Sequence, residues 1–326
     1  MKRFKNILCV VKPGEACKPT LARAVTLAKN NQARLTVVDV VERIMVCVGM
    51  PEGGSASADL QAALVKDRAQ ELETLVEPYR EQIEINTNVL IGTPFLEIIR
   101  EVLRNGRDLV IKIPEHQEWL ERLFGSDDMH LLRKCPCPVW LIKPHAPKTH
   151  RHILAAVDID DAYPQAEQES RRALNQQVLE MASSLALSDF AELHIAHAWV
   201  AIGESAMHGA FMHEPEERII AYVEQVRQQH QAGLDGLKRE VTRNLGQDAV
   251  GYLKPQTHLV KGSARKEIPA LAKRIEADLV VMGTVARTGV PGFFMGNTAE
   301  TILNQIDCSV LAIKPPGFVT PVTLEE

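Results

Sequence analysis

"LNQIDCSVLAIKP", residues 303–315, repeats "LRKCPCPVWLIKP", residues 132–144: Leu, Cys, Val, Ile, Lys and Pro recur in step, from starting points 132 and 303, an offset of 171. Each copy holds a short apolar run, 139–142 or 310–313, closed by Lys-Pro, which reads as a buried strand stopped by proline. Further upstream, "LIGTPFLEIIREVLRNGRDLVIK" from Leu90 matches "VKGSARKEIPALAKRIEADLVVM" from Val260, an offset of 170, with Gly92 on Gly262 and Asp108 on Asp278. The offset changes by one between Asp108 and Gly125, so one residue was gained or lost in the loop that follows this strand. A third pair, "ILCVVK" at 7–12 and "ILAAVD" at 153–158, opens the two halves.

Each half therefore reads strand, helix, strand, long helix, strand, helix, strand, loop, helix, strand. That alternation specifies an α/β fold with a parallel sheet covered on both faces. Strands are expected near 6–11, 34–40, 83–90, 108–113 and 138–143, and again near 152–157, 191–199, 255–261, 278–283 and 308–314. Long helices are expected near 58–80, after the turn-forming Gly53-Gly54-Ser55, and near 214–244. The Pro-bearing stretch 144–150 is the linker, which places a first domain at 1–147 and a second, with a short C-terminal tail, at 148–326.

Composition narrows the function classes. Hydrophobic residues make up 45% and charged residues 24% of the chain, and the formal charge of −5 supplies no field for a polyanion, so nucleic acid is not expected as a partner. No run of eighteen apolar residues suggests a membrane span, and the basic start at 1–6 lacks a signal-peptide core. A cytoplasmic protein with six buried thiols is the expectation. Cys135 and Cys137 lack a second cysteine pair, which favours core packing over metal or redox use.

A duplicated five-strand α/β unit carrying "ADLVVMGT", "RTG", "GNTAE" and a closing "CSVLAIKP" resembles the universal stress protein family over nearly all of residues 5–315. The resemblance implies strand order 3-2-1-4-5 in each of two tandem doubly wound sheets, with strands one and four adjacent where the winding reverses. It also implies a nucleotide loop of Gly, two residues, Gly, nine residues, Gly and Ser or Thr. Here the loop becomes Gly283, Ala286, nine residues, Gly296, then Asn297 and Thr298. Two of those positions depart from the pattern. An acid at the end of the first strand reads adenine in such proteins, and Asp158 stands there. The implied nucleotide site is Asp158, Met282, Gly283, Thr284, Ala286, Arg287, Gly296, Asn297 and Thr298. Its ligand would be ATP, with Mg²⁺ arriving on the nucleotide.

Physically, glycines allow close backbone approach to an anion, a helix begins near Asn297, and Arg287 adds positive charge. Asn297 with Glu300 equally fits a capping box that only satisfies helix N–H groups, and the sequence leaves both readings open. Asp158, Asp160 and Asp161 have turn spacing rather than that of a metal cage. His194 and His197, three apart on a strand, point to opposite faces. His208 and His213 could line an entrance or be surface residues.

The first half carries no such loop. An amphipathic helix near 114–124, with Glu115, Glu118 and Glu121, is expected in its place, and Lys12 replaces the adenine-reading acid. Donors facing adenine's amino group disfavour recognition there. Each half ends in an apolar edge strand, and edges must be paired or covered. The two final strands are expected to pair as an internal pseudo-dimer, with a homodimer left open. The functional expectation is a non-catalytic stress-response protein, at most a slow ATPase because no Walker lysine is present. The alternative is a scaffold that carries a partner protein or an amphipathic small molecule.

Overall fold

The computed structural model describes residues 4–14, 17–44, 55–114, 127–144, 146–147, 149–160, 163–208, 214–284 and 295–324. They fall into two compact units, Arg3–Lys148 with Phe318–Glu326, and Thr149–Gly317. The tail from Phe318, expected to extend the second domain, groups with the first unit; there the Arg100 Nε donates to the Thr323 carbonyl at 3.4 Å.

The first unit runs β1 (Asn6–Val10), α1 (Lys18–Asn31), β2 (Arg34–Val41), α2 (Ser55–Val76), β3 (Ile85–Ile91), α3 (Pro94–Asn105), β4 (Leu109–Lys112), α4 (Asp127–Lys134) and β5 (Val139–Leu141). The second runs β6 (His152–Ala156), α5 (Gln165–Asp189), β7 (Glu192–Trp199), α6 (Glu204–His208), α7 (Glu216–Leu245), α8 (Gln247–Leu253), β8 (Gln256–Lys261), α9 (Ala264–Arg274), β9 (Leu279–Gly283), α10 (Asn297–Leu303) and β10 (Ser309–Ile313). Strand order is β3-β2-β1-β4-β5 in the first and β8-β7-β6-β9-β10 in the second, the doubly wound 3-2-1-4-5 order of the sequence reading. All pairings within the units are parallel. The central strands β1 and β4 are buried along their whole length, as β10 is, which explains their unbroken apolar runs.

Helix α2 stops at Val76 rather than near residue 80, because Pro78 cannot donate to the helix ladder and Glu77–Tyr79 form a single 3₁₀ turn. The short helices α6 and α8 were not anticipated. The expected amphipathic helix near 114–124 lies almost wholly outside the described residues.

The repeated residues have repeated jobs. Asp108 accepts the Lys5 and Asn6 backbone N–H groups at 2.6 and 3.0 Å, and Asp278 accepts those of Arg151 and His152 at 2.5 and 3.1 Å. Each aspartate clamps the start of the unit's first strand to its fourth. Gly92 and Gly262 hold φ of +144° and +140°, where side chains are strained. A Cβ at Gly262 would also come 2.7 Å from Glu267. Cys9, Cys17, Cys135, Cys137 and Cys308 are buried thiols, with Cys135 and Cys137 Sγ atoms 3.6 Å apart.

Candidate functional site

Beyond β6 the chain crosses to β7 on one side, and beyond β9 it crosses to β10 on the other. A crevice opens between them at the strands' C-terminal ends, where open α/β sheets bind ligands. It holds a cavity of about 560 Å³. Asp158, Met282, Gly283, Thr284, Gly296, Asn297 and Thr298 all line it, although 158 and 298 lie far apart in the chain. Ala286 and Arg287 lie outside the described residues, as do Asp161 and His213.

The structure assigns these residues different tasks. Gly283 packs closely, since a Cβ there would come 2.5 Å from the Leu174 side chain of α5, which would have to shift. Thr284 is 1% exposed. Its hydroxyl accepts the Lys314 Nζ at 2.7 Å and reaches the Ile313 carbonyl, and its own carbonyl accepts the Gly296 N–H at 3.1 Å. That network ties the start of the loop to its end and to β10. It uses the lysine of the repeated Ile-Lys-Pro ending. The capping box at Asn297 does not form: Gly296 is the N-cap, with no side-chain cap bond, and Asn297 and Thr298 are exposed at the mouth.

Asp158 is the most engaged member. Its side chain is 45% exposed, yet Oδ2 accepts Arg171 Nη1 at 2.6 Å and Oδ1 accepts the Asp160 N–H at 3.3 Å. Its backbone is held by Asn175, which accepts its N–H at 3.0 Å and donates to its carbonyl at 2.6 Å. The Arg171 guanidinium lies 3.3 Å above the Tyr163 ring and 3.6 Å from Glu167. Burial, and then the Asp158 charge, push the Tyr163 phenol up from its ordinary pKa.

His194 and His197 do part to opposite sides. His197 is buried, and burial lowers its pKa, so it stays neutral. Its Nδ1 donates to the Val157 carbonyl at 3.2 Å, which leaves Nε2 to accept from His230 Nδ1 at 3.0 Å. His230 lines the cavity beside Trp199. Arg171, Tyr163, Asn175 and His230 were invisible to motif reading because the residues around them do not repeat between the halves.

The corresponding crevice of the first unit is furnished differently. Lys112 stands where Met282 does, and its Nζ pairs with Asp128 at 2.6 Å, both side chains buried. Asp128 falls on Ala299 at the offset of 171. An ion pair of this chain thus occupies ground that is apolar in the second unit. Asp39, in the place of His197, lies 3.8 Å from Arg68, and its carboxyl is raised mainly by burial.

Fold and site together define a tandem α/β protein whose second unit keeps an open crevice at the winding reversal. Comparison agrees: the universal stress protein family profile matches residues 3–143 and again 150–314. The chain is 30% identical to universal stress protein E of Escherichia coli K12 over 335 aligned positions, covering 100% of this chain and 99% of that one. The Haemophilus influenzae homolog of that protein is 30% identical over 96% of this chain and 98% of its own. A crystal structure of a putative universal stress protein from Pseudomonas aeruginosa superposes with a TM-score of 0.67 at 27% identity, covering 96% of this chain and 94% of that chain. The chain belongs to the universal stress protein family. No helix of the described residues is long and apolar enough to cross a membrane.

Proposed function

We propose that the second unit binds an adenine nucleotide, ATP with its Mg²⁺, as a switch ligand in a cytoplasmic, non-catalytic stress-response protein. One observation carries this reading: Asp158 and Gly296–Thr298, named from distant stretches, line the same cavity at the winding reversal. Slow hydrolysis at most is expected, since the sequence carries no Walker lysine motif. Isothermal titration of the full chain with ATP and Mg²⁺ tests it. Saturable heat that an Asp158→Ala substitution weakens supports the reading, and heat absent from both proteins refutes it.

A scaffold function is the second reading. It draws on a separate cavity of about 370 Å³ between α5 and α7, lined by Leu179, Leu237, Val241 and Leu245 among polar residues. A copurifying amphipathic mass in native mass spectrometry would favour it.

A further inference from the structure

We infer that Arg171 sets the affinity of the crevice for an adenine base, by occupying the carboxylate of Asp158 that would otherwise accept the base's amino group. The inference rests on the nucleotide reading above and adds the residue that tunes it.

A bare carboxylate offers four lone-pair sites and selects a ligand that presents N–H donors. In this unit the carboxylate is already served. Arg171 donates to one oxygen at 2.6 Å and the Asp160 N–H to the other at 3.3 Å. A base arriving with its amino group competes with these donors for the carboxylate, and the charge-assisted Arg171 contact at 2.6 Å is the shorter of the two.

The guanidinium is well held. Its side chain is 13% exposed, flanked by a second carboxylate, Glu167, and seated on the Tyr163 ring. Two acids and an aromatic face neutralise it, which argues for a latch on Asp158 over a receptor for phosphate.

The latch comes from a piece of helix without a counterpart in the first unit. Helices α1 and α5 both end on left-handed residues, Gln32 and Phe190, two positions before the next strand. Helix α1 has 14 residues and α5 has 25. Measured back from these caps, residues 165–175 are additional, about 16 Å of helix carrying Arg171 and Asn175 to the end of β6. The first unit, which lacks these turns, also lacks the acid and has the exposed Lys12 in its place.

The test is isothermal titration of the full-length wild type, Arg171→Gln, Arg171→Lys and Tyr163→Phe with adenosine, with purine riboside, which lacks the amino group, and with ATP–Mg²⁺. Arg171→Gln should bind adenosine about fivefold more tightly, the worth of one partly exposed ion pair. Purine riboside should gain nothing, and Arg171→Lys and Tyr163→Phe, which keeps the ring beneath Arg171, should resemble wild type. Equal or weaker adenosine binding by Arg171→Gln, with ATP still bound by wild type, overturns the latch and leaves the nucleotide reading standing. An equal gain for purine riboside also overturns it. If no protein binds ATP or adenosine, latch and reading fall together.

Discussion

At the scale of single residues, the two copies solve one problem with different chemistry. In the first unit the Lys112 and Asp128 charges face each other at 2.6 Å in a buried place; in the second the same positions are Met282 and Ala299. Removing one partner of a buried pair strands the other charge, whereas replacing both by apolar groups is close to neutral. Asp128→Ala alone should therefore destabilise the protein by about 3 kcal/mol. Lys112→Met with Asp128→Ala, which copies the second unit, should recover most of that loss, as measured by the urea midpoint. A double variant as unstable as the single one would show that the two crevices are not interchangeable. The aspartate clamps at 108 and 278 were legible as repeated residues, but their bonding to the start of strand one was not, because the partners lie over a hundred positions away.

At the scale of elements, the lower ends of the sheets differ in the same manner. The first unit places Thr36 of β2 under the Arg107 guanidinium at 2.8 Å, which also pairs with Glu101 and Asn6. The second places histidines there: His194 of β7 shares a 2.9 Å hydrogen bond with His258 of β8 and lies edge-on to His152 of β6. Burial lowers the pKa of both His194 and His258, with His258 and Arg274 adding repulsion to the two in turn, and Glu192 at 3.6 Å opposing it for His194. An unfolded imidazole titrates near 6.5. Below that pH the unfolded chain binds more protons than the folded one, so the contribution is complete above about 6.5 and drains away as the pH falls toward the lowered values. Between pH 7.5 and 5, His194→Thr, the residue of the first unit, should reduce the acid-induced loss of stability, read as a smaller drop in the urea midpoint than that of wild type. Parallel stability curves for wild type and variant would contradict this. Periodicity reading found the strands and even the split of His194 from His197, since alternation is a local property. It missed the His194–His258 and His197–His230 pairs, since strand register and helix docking are not.

At the scale of the whole molecule, each unit taken alone ends in a strand, β5 or β10, at the side of its sheet. The expectation from the repeated apolar endings is that these strands pair, and an exposed apolar edge would invite aggregation. Hydrogen exchange on the full chain tests it: amides at 139–141 and 309–313 should exchange as slowly as those of β1 and β6. Rapid exchange at both would leave the edges to some other cover. Duplication and two α/β units were readable in the sequence, because apolar run, turn residue and repeat offset are all encoded along the chain; strand order came only with the family resemblance. The same resemblance named seven residues that meet in one cavity. Only the folded chain decided what they are occupied with: Thr284 by Lys314, Gly283 by the approach of Leu174, Asp158 by Arg171. The reason is physical, for a motif records which groups are present, while a side chain's availability depends on the neighbours that packing brings from elsewhere in the chain.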